Sequence, residues 1–195
     1  MSAPRATWFC IDIECSGPVP GLYDMLSIGG VAVDLSSGEP VLSEPFYVEI
    51  RPQAPRVDPG ALAVCGLDMD RLRVEGTPLP DALDRLTAWA RSLTPAGSKP
   101  VFVGHNAPFD WMFVNWSYVA CERDNPFGYK ALDTKALAMG VLGVHWFDAN
   151  KELLEEVLSL PPQDPERVHR ADYDAWYQAH ILAELLKRRP SCADL

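Results

Sequence analysis

The sequence predicts one mixed α/β domain, and two patterns lead to that prediction. Three runs rich in β-branched and aromatic residues come first, which is typical of strands, at Trp8–Ile13, Met25–Val33 and Val41–Ile50. A helical pattern, a fourth strand candidate at Pro100–Gly104 and further helical patterns follow. Strands and helices in this order indicate a layered α/β structure. The length of 195 residues is that of one domain, or of one domain with a tail.

The first three strands are expected to form an antiparallel meander. Residues 34–40 separate the second strand from the third and consist mainly of Asp, Ser, Gly and Pro, which favour turns. After the fourth strand, Asn106 is expected to cap a helix that has Pro108 in its first turn. The helical segments predicted from the spacing of apolar residues are Pro59–Cys65, Asp68–Arg73, Leu79–Leu93, Ala107–Cys121, Leu132–Met139, Asn150–Leu158 and Asp174–Arg188.

The composition is that of an ordinary globular protein, with 48% hydrophobic and 23% charged residues. No apolar run approaches the ~18 residues needed to span a bilayer, so no membrane association is expected. The 17 basic and 27 acidic residues give a net charge of −10, which argues against a broad basic surface for wrapping duplex DNA. A nuclease stays compatible with this charge, because divalent ions held by carboxylates invert the local electrostatics.

The cysteines show neither a C-x-x-C pair nor a zinc-like spacing to the four histidines; they are Cys10, Cys15, Cys65, Cys121 and Cys192. A disulfide scaffold and a zinc site are therefore disfavoured. The first residues also lack the apolar core of a signal peptide, because Asp12 and Glu14 interrupt it. We expect a cytoplasmic protein with free thiols.

Asp12 and Glu14 are candidate site residues on the first predicted strand. Side chains alternate along a strand, so residues two apart project from the same face. Acidic residues at this spacing are also typical of a solvated strand edge. Here the neighbouring residues Phe9, Ile11 and Ile13 are apolar, and this favours a buried strand over a solvated edge. Two carboxylates on a core strand need a cation or hydrogen-bonding partners.

Asp110, His169 and Asp174 supply further candidate groups. Asp110 falls in the first turn of a predicted helix, where a negative charge also simply stabilises the helix dipole. His169 and Asp174 are five residues apart, which on one continuous helix would leave them about 140° apart. They act together only if His169 lies on the loop before the helix. A capping and surface cluster is the alternative interpretation of this pair.

In this order, the three segments resemble the DEDDh (DnaQ-like) 3′→5′ exonuclease superfamily, whose members include the polymerase III proofreading subunit, RNase T and oligoribonuclease. The matching stretches are I-D-I-E-C-S-G at 11–17, G-H-N-A-P-F-D at 104–110 and H-R-A-D-Y-D at 169–174, with support at 26–33 and 132–134. The resemblance implies an RNase H-like fold with a five-stranded mixed sheet flanked by helices. It also implies a single exonuclease domain over residues 1–195, with its core at about 8–186.

The activity that the resemblance implies is metal-dependent removal of nucleoside 5′-monophosphates from the 3′ ends of single-stranded or short DNA or RNA. Asp12, Glu14, Asp110 and Asp174 would be the metal ligands, and His169 the general base. Two Mg²⁺ ions, for which Mn²⁺ substitutes, are the expected cofactors, because such ions stabilise the attacking and leaving oxygens of a phosphodiester displacement.

Substrate contacts are indicated more weakly, by proximity to these motifs. The candidates are Ile13, Cys15, Phe109 and Arg170, with Lys151 and Arg167 as further candidate phosphate contacts. Cys15 and Ser16 stand where the family commonly has threonine, which leaves the fit to the terminal nucleotide open. The spacing of the third motif favours Asp174 over Asp172 as a ligand, and Asp133 is predicted to be a corner or capping residue.

Two other functions stay open at this point. A catalytically silent or partner-dependent nucleic-acid-binding module of the same fold would bind metal without hydrolysis. An RNase H-type endonuclease would cut internally, although the H-x₄-D spacing disfavours it. The sequence does not decide between DNA and RNA, because recognition of the 2′-hydroxyl depends on pocket geometry. Substrate length, processivity, a homodimer and a polymerase partner are equally open.

Overall fold

A computed structural model gives the structure of residues 5–35 and 37–188. Within these residues, six strands form one mixed sheet in which β1 is antiparallel to β2 and parallel to β5, and β5 is parallel to β6. β3 and β4 both pair antiparallel with β2. The mixed sheet with an antiparallel start is thereby confirmed. The strands are β1 (Arg5–Cys15), β2 (Met25–Asp34), β3 (Val41–Leu42), β4 (Phe46–Glu49), β5 (Ser98–Gly104) and β6 (Ala131–Asp133).

The third predicted strand is interrupted, which is why the described sheet has six strands where five were expected. The chain pairs regularly with β2 at β3 and again at β4. The regular strand pairing is interrupted at residues 43–45. Ser43 stays bonded to Ala32 of β2, because its amide nitrogen donates to the Ala32 carbonyl (2.9 Å) and its hydroxyl accepts from the Ala32 amide (3.0 Å). Pro45 follows and has no N–H to offer a ladder.

Most helices of the described ranges coincide with the predicted segments. The segment predicted as helix at Leu132–Met139 begins instead with strand β6, and its helix starts at Thr134. The last helix starts at Ala171, three residues before the predicted Asp174. The helices are α1 (Pro59–Cys65), α2 (Met69–Glu75), α3 (Leu79–Ser92), α4 (Pro108–Ala120), α5 (Thr134–Leu142), α6 (Lys151–Leu158) and α7 (Ala171–Arg188).

The expected cap of α4 was wrong. Ala107 occupies the N-cap position and makes no side-chain capping bond, while Asn106 has a φ of 65° and belongs to the preceding turn. Asp133 instead ties this turn down, as its Oδ1 accepts from the Asn106 amide (2.9 Å) and from the Lys135 amide (3.1 Å) at the start of α5. The role predicted for Asp133, at a corner and in capping, is confirmed.

The side chains of β1 alternate between two apolar cores. Phe9, Ile11 and Ile13 pack in a core that includes residues of α3 and α4. Cys10 lies in the other core, with Leu182 of α7. Helices α5 and α6 pack against α7 in a third cluster. The even-numbered side chains of β1 therefore face α7, and this alternation directs its two acidic residues to that side.

Gly29 of β2 permits a close approach between the sheet and the start of α7. Gly29 pairs with Asp12 in the β1–β2 register. A Cβ at Gly29 would lie 2.1 Å from the carbonyl carbon of Ala171, closer than any real contact. The missing side chain thus allows the first turn of α7 to lie directly on β2, beside Asp12.

Free thiols are found at Cys10, Cys15, Cys65 and Cys121, and Cys192 lies outside the described residues. None of the helices in 5–35 and 37–188 combines the length and the apolar character that a membrane crossing requires.

Candidate active site

Asp12 and Glu14 project from the same face of β1, as predicted. That face lies against α7. Asp12 Oδ1 accepts a hydrogen bond from Gln178 Nε2 at 2.6 Å. The β1–β2 register shifts between Glu14 and Cys15, so the strand ends in an irregularity directly after the second acidic residue. Both acidic side chains are partly buried.

Helix α4 brings the third carboxylate to β1. Asp110 is 6% exposed, and its Oδ1 accepts from the amide of Ile13 at 3.0 Å, between the two acidic residues of the strand. The preceding turn is held by His105, whose Nδ1 lies 2.9 Å from Thr134 Oγ1. Burial lowers the pKa of His105 to about 4. A neutral, hydrogen-bonded His105 has a structural role in holding this turn.

The loop before α7 and its first turn supply the remaining two groups. Asp174 is 3% exposed, and its Oδ2 accepts from the His169 amide at 2.7 Å. His169 lies on the loop, outside the helix, with its side chain exposed. One ligand atom each from Glu14, His169 and Asp174 lies within 4.8 Å of the others. The geometric condition for joint action of His169 and Asp174 is therefore met.

Burial and mutual repulsion raise the pKa values of Asp12, Glu14 and Asp110. Burial raises the pKa of Asp12 well above its usual range, and the charges of Asp110 and Asp174 raise it further. Burial, and then the charges of Asp174 and Asp110, raise the pKa of Glu14 to about 8. Burial raises the pKa of Asp110 to about 7, despite the hydrogen bond from Ile13. The carboxyl groups need a cation in order to be ionised together at neutral pH.

Lys151, the first residue of α6, provides one positive charge in this cluster. Its Nζ donates to Asp174 Oδ1, and its side chain is 20% exposed. Burial acts to lower the pKa of Lys151, but the charges of Asp12 and Asp174 outweigh that effect and raise it. An ammonium group already held by these carboxylates shows that the donor set accepts a cation. Oxygen donors in this number also fit Mg²⁺ or another hard divalent ion.

The structure thus brings together Asp12, Glu14, Asp110, Asp174 and His169, the five residues predicted to form the centre. Of the weaker candidates, Ile13 contributes its amide to the cluster, and Cys15 follows Glu14 at the end of β1. Phe109 packs on Phe113, with ring centroids 5.4 Å apart. Arg170 is bound to Asp172, with Nη2 3.0 Å from Oδ2, and lies 5.7 Å from the Tyr47 ring centroid.

Two residues of the site went unassigned or only partly assigned from sequence. Gln178 lies one turn after Asp174 on α7, so the i, i+4 spacing could have indicated that both face Asp12. Lys151 was considered only as a phosphate contact. No local pattern connects it to residues 12 or 174, because α6 reaches the site through tertiary packing alone.

No protein-family model matches the chain. A curated 3′–5′ DNA exonuclease of Escherichia coli, Cap18, is 34% identical over 187 residues, which are 96% of this chain and 93% of that protein. The nuclease domain of 3′hExo, a DEDDh family member bound to rAMP, has a TM-score of 0.77 at 15% identity and covers 96% of this chain and 94% of that chain. The zinc-bound complex of Escherichia coli exonuclease I with single-stranded DNA has a TM-score of 0.71 at 19% identity. The match covers 97% of this chain and 42% of that chain.

The solved structures establish the fold, because they cover nearly the whole of this chain. Their sequence identities are low, so they establish the fold alone. The curated relative, which is similar over almost the whole chain, establishes the family. The expected fold and the expected class of enzyme are confirmed. The chain belongs to the DEDDh 3′→5′ exonuclease superfamily, and it is a 3′→5′ exonuclease.

Proposed function

We propose that the enzyme hydrolyses single-stranded DNA from the 3′ end with two Mg²⁺ ions and releases nucleoside 5′-monophosphates. The observation that carries this proposal is the convergence of four acidic residues and His169, from β1, α4 and the start of α7, beside the end of β1. Several shielded carboxyl groups at one place supply the oxygen ligands that divalent ions such as Mg²⁺ prefer.

The metal ligands in this proposal are Asp12, Glu14, Asp110 and Asp174. The raised pKa values of Asp12, Glu14 and Asp110 support it, because bound divalent ions would stabilise the charged form of these buried and mutually repelling groups. Two ions bound at such a centre stabilise both the attacking and the leaving oxygen of an in-line phosphodiester displacement. The protein's own part is to hold the carboxylates in place, through the Gln178 and Ile13 bonds described above.

His169 would act as the general base. Its amide is fixed on Asp174, so the position of the loop depends directly on a metal ligand. Its exposed imidazole is free to accept a proton from the attacking water and to release that proton to solvent. The leaving 3′ oxygen belongs to the shortened strand, and the released nucleotide keeps the phosphate.

DNA is the proposed substrate because the curated relative, 34% identical, is named a DNA exonuclease. A single strand is proposed because the exonuclease I structure with the same fold is a complex with single-stranded DNA. Cys15, Phe109 and Arg170, with the main chain of Ile13, stay the proposed substrate contacts. We place the reaction in the cytoplasm, where free thiols such as those of Cys10 and Cys15 persist.

The test is a time course with 5′-labelled DNA and RNA of equal sequence, each with Mg²⁺, Mn²⁺ or EDTA. We expect a DNA ladder that shortens from the 3′ end and depends on metal. Asp12→Asn should abolish the ladder. Asp84→Asn, a matched change on α3 where Asp84 forms an exposed ion pair with Arg123, should preserve it. Faster degradation of RNA would contradict the DNA assignment. Metal binding without cleavage would favour the silent nucleic-acid-binding module instead.

A further inference from the structure

Lys151 is a basic residue inside the acidic centre, and it has no role in the proposed reaction. Its Nζ is bonded to Oδ1 of Asp174, and both side chains are largely shielded, at 20% and 4% exposure. The charges of Asp12 and Asp110 also act on it. Lys151 is thus an internal counter-ion shared by several carboxylates, rather than a surface ion pair.

The backbone of Lys151 is fixed by the packing of α6. Asn150 caps this helix, with its side chain accepting from the Leu153 amide at 2.9 Å. Leu154 and Leu158 anchor the helix in the core shared with α7. The ammonium group, by contrast, ends a flexible four-carbon stem and can move without moving the helix. Lys151 can therefore reach Asp174 or withdraw from it by side-chain rotation.

Both oxygens of Asp174 are engaged in this structure. Oδ1 accepts from Lys151 and Oδ2 accepts from the His169 amide. A divalent ion on Asp174 would lie beside the ammonium group, in a partly buried place where like charges repel strongly. The ammonium group and a metal ion would consequently compete for Asp174.

We propose that Lys151 is the resident counter-ion of the metal-free centre, which holds the carboxylates together until a divalent ion displaces its ammonium group from Asp174. Lys151 is then a positioning residue with two effects. It keeps the metal-free site assembled, and it weakens apparent metal affinity, because binding has to break its contact with Asp174. The inference rests on the metal ligands assigned in the proposed function.

The experiment is calorimetric titration of Mn²⁺ into wild-type protein and variants, with melting curves in EDTA and in saturating Mn²⁺. Lys151→Met keeps the length of the side chain and removes its charge. We expect it to bind Mn²⁺ about tenfold more tightly. Its melting temperature should fall in EDTA and return to the wild-type value with Mn²⁺. Lys151→Arg should retain the weaker wild-type affinity, and Lys151→Gln replaces Lys151→Met if that variant does not fold.

Lys99→Met is the matched control, because it removes the same charge from the exposed start of β5, where Lys99 pairs with Ala6. It should leave Mn²⁺ affinity unchanged. Equal or weaker Mn²⁺ affinity of Lys151→Met would overturn the inference. A wild-type protein that binds no Mn²⁺ at all would overturn the metal ligands of the proposed function instead, so the two failures are distinguishable.

Discussion

His169 has a φ of 66°, in the left-handed region that residues other than glycine seldom adopt. This conformation directs the amide of His169 to Asp174 while the imidazole stays exposed. The backbone of this residue therefore supports Asp174, a proposed metal ligand, and its side chain is exposed. A suitable substitution separates the two roles.

Replacing His169 by Asn should remove the proposed base and keep the turn, because Asn tolerates the left-handed conformation. We expect kcat to fall by roughly 10²–10⁴-fold, the usual contribution of a general base, with the melting temperature unchanged. Steady-state hydrolysis of labelled DNA across pH would measure this loss. A kcat equal to that of the wild type would mean that another group takes the proton.

Gln178 supports Asp12 from behind, as its Nε2 donates to Asp12 Oδ1. Its own Oε1 is buried and has no hydrogen-bond partner among the described residues. Replacing Gln178 by Met should lower Mn²⁺ affinity or kcat by roughly 10–100-fold, the typical effect of losing a residue that orients a ligand. Calorimetry and kinetics together would detect it. Gln163→Met, on the loop before α7, is the control, and an equal loss there would argue against a specific role of Gln178.

The close packing of α7 on β2 determines where Asp174 lies. Gly29 makes that approach possible, since a Cβ there would collide with the main chain of Ala171. The main chain cannot give way as a flexible side chain would. The first turn of α7 and the site residues on it would therefore have to move.

Replacing Gly29 by Ala should destabilise the protein by about 1–3 kcal/mol, as overpacking generally does, and should reduce kcat by displacing Asp174. Urea unfolding and single-turnover hydrolysis would measure the two effects. Gly140→Ala is the matched control, because a Cβ at Gly140 in α5 would meet nothing within 4 Å. That control should be neutral or stabilising by about 0.5–1 kcal/mol. Unchanged kcat in Gly29→Ala would show that α7 is not held by this contact.

The acidic centre makes the unfolding free energy of the protein depend on pH. The pKa values of Asp110 and Glu14 are raised in the folded protein, to about 7 and about 8, so the folded state binds protons that the unfolded state has lost. Stability that depends on these groups is therefore lost as pH rises through those values. The partly buried His105, whose pKa is lowered, has the opposite effect, but chiefly below its unfolded pKa of about 6.5.

The metal-free protein should accordingly lose on the order of 2 kcal/mol of unfolding free energy between pH 6.5 and 8. Denaturant unfolding in EDTA would show the slope, and saturating Mg²⁺ should flatten it. Asp110→Asn should remove part of the slope. Stability that rises with pH over this interval in EDTA would show that the carboxyl groups are not crowded as described.

Local patterns were informative wherever the interaction is local. The spacing of apolar residues predicted α3 and α6 closely, because the buried face of a helix repeats within the segment itself. Alternation along β1 placed Asp12 and Glu14 on one face for the same reason. The break in the third predicted strand has a local cause in Pro45, which has no N–H to offer a ladder. The hydroxyl bond of Ser43 to Ala32, by contrast, depends on the neighbouring strand β2.

Alternation, turn residues and motif order are local properties of the chain, and they predicted the class of fold without tertiary information. The five residues expected at the centre came from the family resemblance that these motifs carry. Tertiary packing decided that Lys151 lies on Asp174 and that the side of α7 carrying Gln178 meets Asp12. These two contacts join residues 23 and 166 positions apart. They arise only when β1, α6 and α7 pack together, since burial, repulsion and charge pairing depend on distance in space and not on distance along the chain.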